Sequence, residues 1–123
     1  MSWDLDSGQP IFKQIVDKIR MDIVSGMYQP GERMASVRDL AAEASVNPNT
    51  MQRAFAELER MGLVYSRRTS GRFITEDQEM INTLRAEIAT EKVKVFFEAM
   101  QQLGFSKEET LSLVGQYLET VKE

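Results

Sequence analysis

Asn49, Thr50, Gln52 and Arg53 fall in one short stretch directly after Asn47-Pro48, and the first acidic side chain beyond them is Glu57. All four are hydrogen-bond donors. In a helix this composition is unusual, because a helix start holds roughly half a positive unit charge and normally gathers Asp and Glu in its first turn. Donors without an acid at that end suit an external anion, and a phosphate accepts bonds from the free backbone N–H groups there. Gln52 and Arg53 suit base edges, since Gln can form two hydrogen bonds to adenine and Arg two to guanine. The plain alternative is chance, because Asn, Thr and Gln are common surface residues. The arginines elsewhere in the chain weigh against it.

The net charge of −4 alone argues against a polyanionic partner, but the charge is unevenly spread. Residues 33–74 hold seven basic and four acidic groups, a local balance of +3, whereas residues 1–32 stand at −2 and residues 75–123 at −5. The seven basic groups are Arg33, Arg38, Arg53, Arg60, Arg67, Arg68 and Arg72, with no lysine among them. Arginine offers a planar fork of donors that matches phosphate and guanine, so the block reads as a contact surface. Arg38 reads as a phosphate or base contact, against pairing within its own helix. Arg60 reads as the partner of a nearby acid. For any one of Arg67, Arg68 and Arg72 a solvated turn is an equal alternative, and jointly they point to DNA backbone or minor groove.

The chain has no cysteine and no histidine, which excludes disulfides, thiolate metal sites and imidazole catalysis. The carboxylates form no paired constellation of an acid and a base, so no enzyme and no cofactor are expected. No run approaches the ~20 apolar residues of a membrane span, and nothing at the start resembles a signal peptide. A cytoplasmic protein without membrane contact is the expectation.

Several elements must position these residues. Phe12, Ile15, Val16, Ile19 and Ile23 make an amphipathic stripe after Pro10, and Gly26 should end that helix. Gln29-Pro30-Gly31 reads as a tight turn. Ser36 caps a second helix of about ten residues, with Asp39 in a weak capping box and a stripe of Val37, Leu40, Ala41 and Ala44. Asn47 caps the third helix, which buries Met51, Ala54, Phe55 and Leu58. Two helices joined by so short a turn form a helix-turn-helix pattern. Residues 63–67 and 72–75 are β-rich around a Thr69-Ser70-Gly71 turn, so a small hairpin follows, with Arg67, Arg68 and Ser70 at its tip and Arg72 just beyond.

From Glu76 onward the chain is acidic and helical. Ile81, Leu84, Ile88, Val95, Ala99 and Leu103 follow helical spacing, widened by Phe96, Phe97 and Met100, until Gly104. Ser106 and Glu109 open a last helix in which Leu111, Val114, Leu118 and Val121 repeat at a and d positions. Such apolar surface should pack on a second subunit. Ile88, Val95, Phe96, Leu111, Val114, Leu118 and Val121 are the expected dimerisation residues. The eight methionines read as core filler, and Trp3 and Tyr28 as covers of apolar surface.

The run SGMYQPGERMASVRDLAAEASVNPNTMQRAFAELERMGLVYSRRTSGRFI closely resembles the N-terminal DNA-binding domain of the GntR family of bacterial transcription regulators. The stretches VNPNT, RAFAELE and QPIFKQIVDKI are similar to its YtrA-like subfamily, whose C-terminal region is a short pair of helices. The resemblance implies a mainly α (α+β) protein. It would have a winged helix-turn-helix domain over residues 1–75 and a two-helix αα-hairpin dimerisation region over residues 76–123. By position it implies DNA contacts at Ser36, Arg38, Asn47, Asn49, Thr50, Gln52, Arg53 and Arg68 with its neighbours. Met34-Ala35 stands where the family usually has Leu-Pro, and Thr69 where it commonly has Gly.

The expected function is a homodimeric, sequence-specific regulator, a repressor, binding double-stranded DNA at a palindromic operator. The third helix would lie in the major groove and the wing at the minor groove or backbone. Any small-molecule effector would sit at an interface. The competing reading is a winged helix used for protein contact without DNA binding.

Overall fold

The computed structural model describes residues 3–122; Met1, Ser2 and Glu123 lie outside the described residues. The order of elements is α1 (Ile11–Ser25), α2 (Val37–Ala44), α3 (Pro48–Arg60), β1 (Val64–Arg67), β2 (Gly71–Ile74), α4 (Gln78–Gln102) and α5 (Lys107–Thr120). The mainly helical architecture with one small sheet is therefore as the sequence implies.

The first helix begins after Pro10, whose φ of −56° is already helical, and ends at Gly26, where a φ of +86° favours glycine. Ile15, Val16, Ile19 and Ile23 are buried, and Phe12, the first member of the expected stripe, is half-buried. The Pro30-Gly31 turn closes through a 3.0 Å bond from Glu32 N to Gln29 O. The second helix starts at Ser36, whose hydroxyl accepts from Asp39 N at 3.0 Å. It has 8 residues rather than about ten. Its end comes early because Ser45 turns left-handed (φ 57°, ψ 44°) and Val46 N bonds back to Ala41 O at 3.0 Å. That single left-handed residue is the corner of the helix-turn-helix.

The third helix opens with Asn47, whose side-chain oxygen accepts from Asn49 N at 2.8 Å. It packs on both α1 and α2. Met51, Ala54, Phe55 and Leu58 are fully buried, as the spacing predicts. Each of the three large ones contributes roughly 1.5–3 kcal/mol of apolar burial. After Gly62 the two strands pair antiparallel, with Val64 opposite Ile74 and Arg67 opposite Gly71. The turn between them is residues 68–70, one position earlier than expected, because Gly71 takes a φ of +101° as the first residue of β2. Residues 32–34 add a third short edge: Ile74 N donates to Glu32 O at 2.9 Å and Met34 N to Arg72 O at 2.8 Å.

The fourth helix is capped by Asp77, whose carboxylate accepts from Met80 N at 3.1 Å. Ile81 and Leu84 are buried, and the first compact unit accordingly spans Met1–Arg85, past the boundary expected after residue 75. The second unit, Ala86–Glu123, holds the remainder of α4 and all of α5. Gly104, at φ +91°, ends α4, and Ser106 and Glu109 form a reciprocal capping box with bonds of 3.1 and 2.9 Å. Thr110 is buried in this unit, and Ile88, Phe97, Met100 and Val114 are half-buried. Val121 does not continue the α5 run as its spacing suggests: the helix ends at Thr120, and Val121 is an extended C-cap.

Candidate nucleic-acid interface

The start of α3 has no acid in its first turn, and Asn47, Asn49, Gln52 and Arg53 are exposed there with Thr50 half-buried. The buried stripe of Met51, Ala54, Phe55 and Leu58 forces this division, because side chains one and two positions away from it must leave the core. Ser36 and Asn47 both act as helix caps, which uses their oxygens as acceptors. A hydroxyl and an amide each retain a donor after capping, so both residues can hold a helix start and still offer a proton to a phosphate. Arg38 is exposed on α2 and makes no ion pair among the described residues.

The arginines divide into two sets. Arg60 pairs with Glu57 on its own helix, as the sequence reading has it, and that hydrogen bond holds the Glu57 carboxyl below the usual carboxylate range. Arg72 is also engaged: its Nε donates to Glu59 at 2.8 Å and its guanidinium lies 5.7 Å from the Phe55 ring. Expected at the hairpin as a DNA contact, it joins β2 to α3 through Nε, which leaves the donors of its two terminal nitrogens outside that bond. Glu59 accepts a second bond, from Ser66 Oγ at 2.8 Å. Partial burial of the Glu59 carboxyl works against its charge, but these bonds from Arg72 and Ser66 outweigh it and keep the group below its ordinary range.

Arg67, Arg68 and Ser70 are exposed at the hairpin tip, with Arg68 free of ion pairs among the described residues. Tyr65 and Phe73 stack with centroids 5.7 Å apart, and the Arg67 guanidinium lies 5.6 and 5.5 Å from the two rings. An aromatic platform thus restrains a cation that would otherwise sample many rotamers.

Arg33 is the residue that sequence reasoning left without a role. Its Nε donates to Ser70 O at 2.7 Å, so it braces the wing tip from the neighbouring edge. A Cβ on Gly71 would lie 3.3 Å from that same Nε, so the close approach of Arg33 and the positive φ both favour glycine there. The available signal was its membership of the lysine-free arginine block.

Three helices, a sharp left-handed corner between the second and third, and a braced hairpin bearing cations define a winged helix-turn-helix DNA-binding protein. The comparisons agree. Residues 11–74 match the family of bacterial regulatory proteins, gntR family. Over 119 residues the chain is 38% identical to the HTH-type transcriptional regulator YhcF of Bacillus subtilis, covering 97% of this chain and 98% of that one. It is also 38% identical over 74 residues to the HTH-type transcriptional repressor YtrA of Bacillus subtilis, covering 60% and 57% of the two chains. A solved GntR family transcriptional regulator from Listeria monocytogenes superposes with a TM-score of 0.83 at 41% identity, over 91% of this chain and 98% of that one. The chain belongs to the GntR family of bacterial transcription regulators, on the YtrA-like side, and it is a regulator rather than an enzyme. No helix among the described residues is long and apolar enough to cross a membrane.

Proposed function

We propose that the protein is a homodimeric repressor that reads a palindromic operator through α3 and the wing. Asn49, Thr50, Gln52 and Arg53 are the reading set, with Ser36, Arg38 and Asn47 as backbone contacts and Arg67, Arg68, Ser70 and Arg72 at the wing. The observation that carries this reading is the acid-free, donor-lined start of α3 together with the cations of the hairpin tip. The repressor sense is supported by likeness to a relative that is itself a repressor.

The dimer rests on surface that the single chain leaves uncovered. Leu111, Tyr117 and Leu118 are 73%, 67% and 60% exposed, and Val95 is 65% exposed. So many large apolar side chains exposed on one short pair of helices mark a contact surface rather than scattered single residues. A second copy is the simplest one, and twofold symmetry then presents two reading helices to two half-sites about one turn, ~34 Å, or slightly more apart. Selection of bound duplex from a random pool tests both parts. A twofold-symmetric consensus is expected. A selected pool without any consensus, or failure to bind duplex at low salt, would favour a winged helix that contacts protein.

A further inference from the structure

Phe12 is the second residue of α1, and the guanidinium carbon of Arg53 on α3 lies 3.9 Å from the centroid of its ring. This is a closer seat than the hairpin aromatics give Arg67 at 5.6 and 5.5 Å. Arg53 makes no ion pair with a carboxylate among the described residues, so the ring is what orients it. The other members of the α1 stripe, Ile15, Val16, Ile19 and Ile23, are buried, but Phe12 is half-buried. Part of its surface is spent on an exposed cation rather than on the core.

At 3.9 Å a guanidinium rests against the face of the ring, and the ring takes none of its five N–H donors. The donors stay available around the rim while the plane of the group is set. An exposed arginine otherwise loses considerable rotamer freedom on docking, and a group already held flat loses less for each hydrogen bond that it forms. Guanine presents N7 and O6 as a pair of acceptors, which a planar, pre-set fork matches better than a freely rotating one.

We infer that Phe12 is a specificity-determining positioning residue, whose ring holds the Arg53 guanidinium in the orientation that reads a guanine edge in the operator. The inference rests on the reading that α3 contacts operator DNA, and it extends the reading surface to the start of α1. What matters at position 12 is an aromatic face, not apolar volume.

The test uses the full chain with the substitutions Phe12→Leu, Phe12→Tyr, Arg53→Ala and the Phe12→Leu/Arg53→Ala pair. Each is titrated against the selected operator, its single-base variants and a random duplex, with thermal midpoints measured alongside. Arg53→Ala is expected to relax preference at one base pair per half-site. Phe12→Leu should relax preference at that same base pair by roughly two- to five-fold, the worth of an exposed cation–π contact, and leave random-duplex affinity unchanged. Phe12→Tyr should retain the preference, and the double variant should be no worse than Arg53→Ala alone.

Equal loss on operator and random duplex for Phe12→Leu, additive losses in the double variant, or tighter operator binding by Phe12→Leu would each overturn the assignment. So would an Arg53→Ala variant that keeps every base preference, while the DNA-binding reading would stand. Absence of any sequence preference in the wild-type protein would instead sink that underlying reading.

Discussion

The carboxylate of Glu59, in the last turn of α3, accepts hydrogen bonds from Arg72 Nε and Ser66 Oγ, both at 2.8 Å, and so ties both strands of the wing to α3. Ser66 and Arg72 are paired across the hairpin, so one acid holds the two strands at the same level. One ionised group thus adds a polar tie between wing and α3 to the packing of β1 on that helix.

Glu59→Gln should destabilise the protein by about 0.5–1 kcal/mol, a figure kept small because the Arg72 and Glu59 side chains are still 26% and 34% exposed and solvent screens the pair. The direction with pH follows from the lowered pKa of Glu59. Its contribution is complete above the ordinary carboxylate range, near ~4.3, and is lost as pH falls through the lower folded value. Urea unfolding of wild type and Glu59→Gln at pH 7 and at about pH 3 should show the difference between them shrinking toward acid. A difference that is constant with pH would mean that the carboxylate charge is not what joins wing and helix.

Ser45 is the one non-glycine residue with positive φ among the described residues, at φ 57° and ψ 44°. Left-handed backbone costs an ordinary side chain roughly 1 kcal/mol, and glycine escapes that cost at the price of a more flexible unfolded chain. Ser45→Gly should thus raise stability modestly, by up to about 1 kcal/mol, with operator affinity unchanged. A lower thermal midpoint for this variant would show that the Ser45 side chain contributes more to the corner than its backbone strain removes.

Arg67→Ala should weaken binding to all duplexes alike and lower the slope of log affinity against log salt by about 1, the signature of one lost phosphate contact. Titrations at several salt concentrations on operator and random DNA supply both quantities. A loss confined to the operator would instead assign Arg67 to base reading.

The helices, their caps and the buried face of α3 were legible because each depends on local chemistry: Ser36, Asn47 and Ser106 cap where they stand, and Met51, Ala54, Phe55 and Leu58 bury where 3.6-residue spacing puts them. Arg60 was readable for the same reason, since its partner Glu57 lies three residues away. The structural ties of Arg33, Arg53 and Arg72 were not readable, although a base-reading role for Arg53 was. Their partners Ser70, Phe12 and Glu59 come from other elements, and an arginine in a basic block looks the same whether it braces a hairpin, stacks on a ring or waits for a phosphate. The early end of α2 was hidden too, because a serine is not an expected residue for a left-handed corner.

Leu118 lies in α5 and is 60% exposed, close to Tyr117 at 67% and one helical repeat beyond Leu111 at 73%. If a second copy covers this surface, a charge at position 118 would be buried without a partner, at a cost of several kcal/mol. Leu118→Glu should therefore convert the dimer to monomer in sedimentation. Operator affinity should fall steeply, because each winged helix then binds its half-site alone and loses the gain from linking two sites. Secondary structure of the first unit should persist, since its core of Ile15, Ile19, Phe55 and Ile74 lies within residues of that unit. A Leu118→Glu protein that still sediments as a dimer would remove α5 from the subunit contact and leave its apolar side chains to another partner.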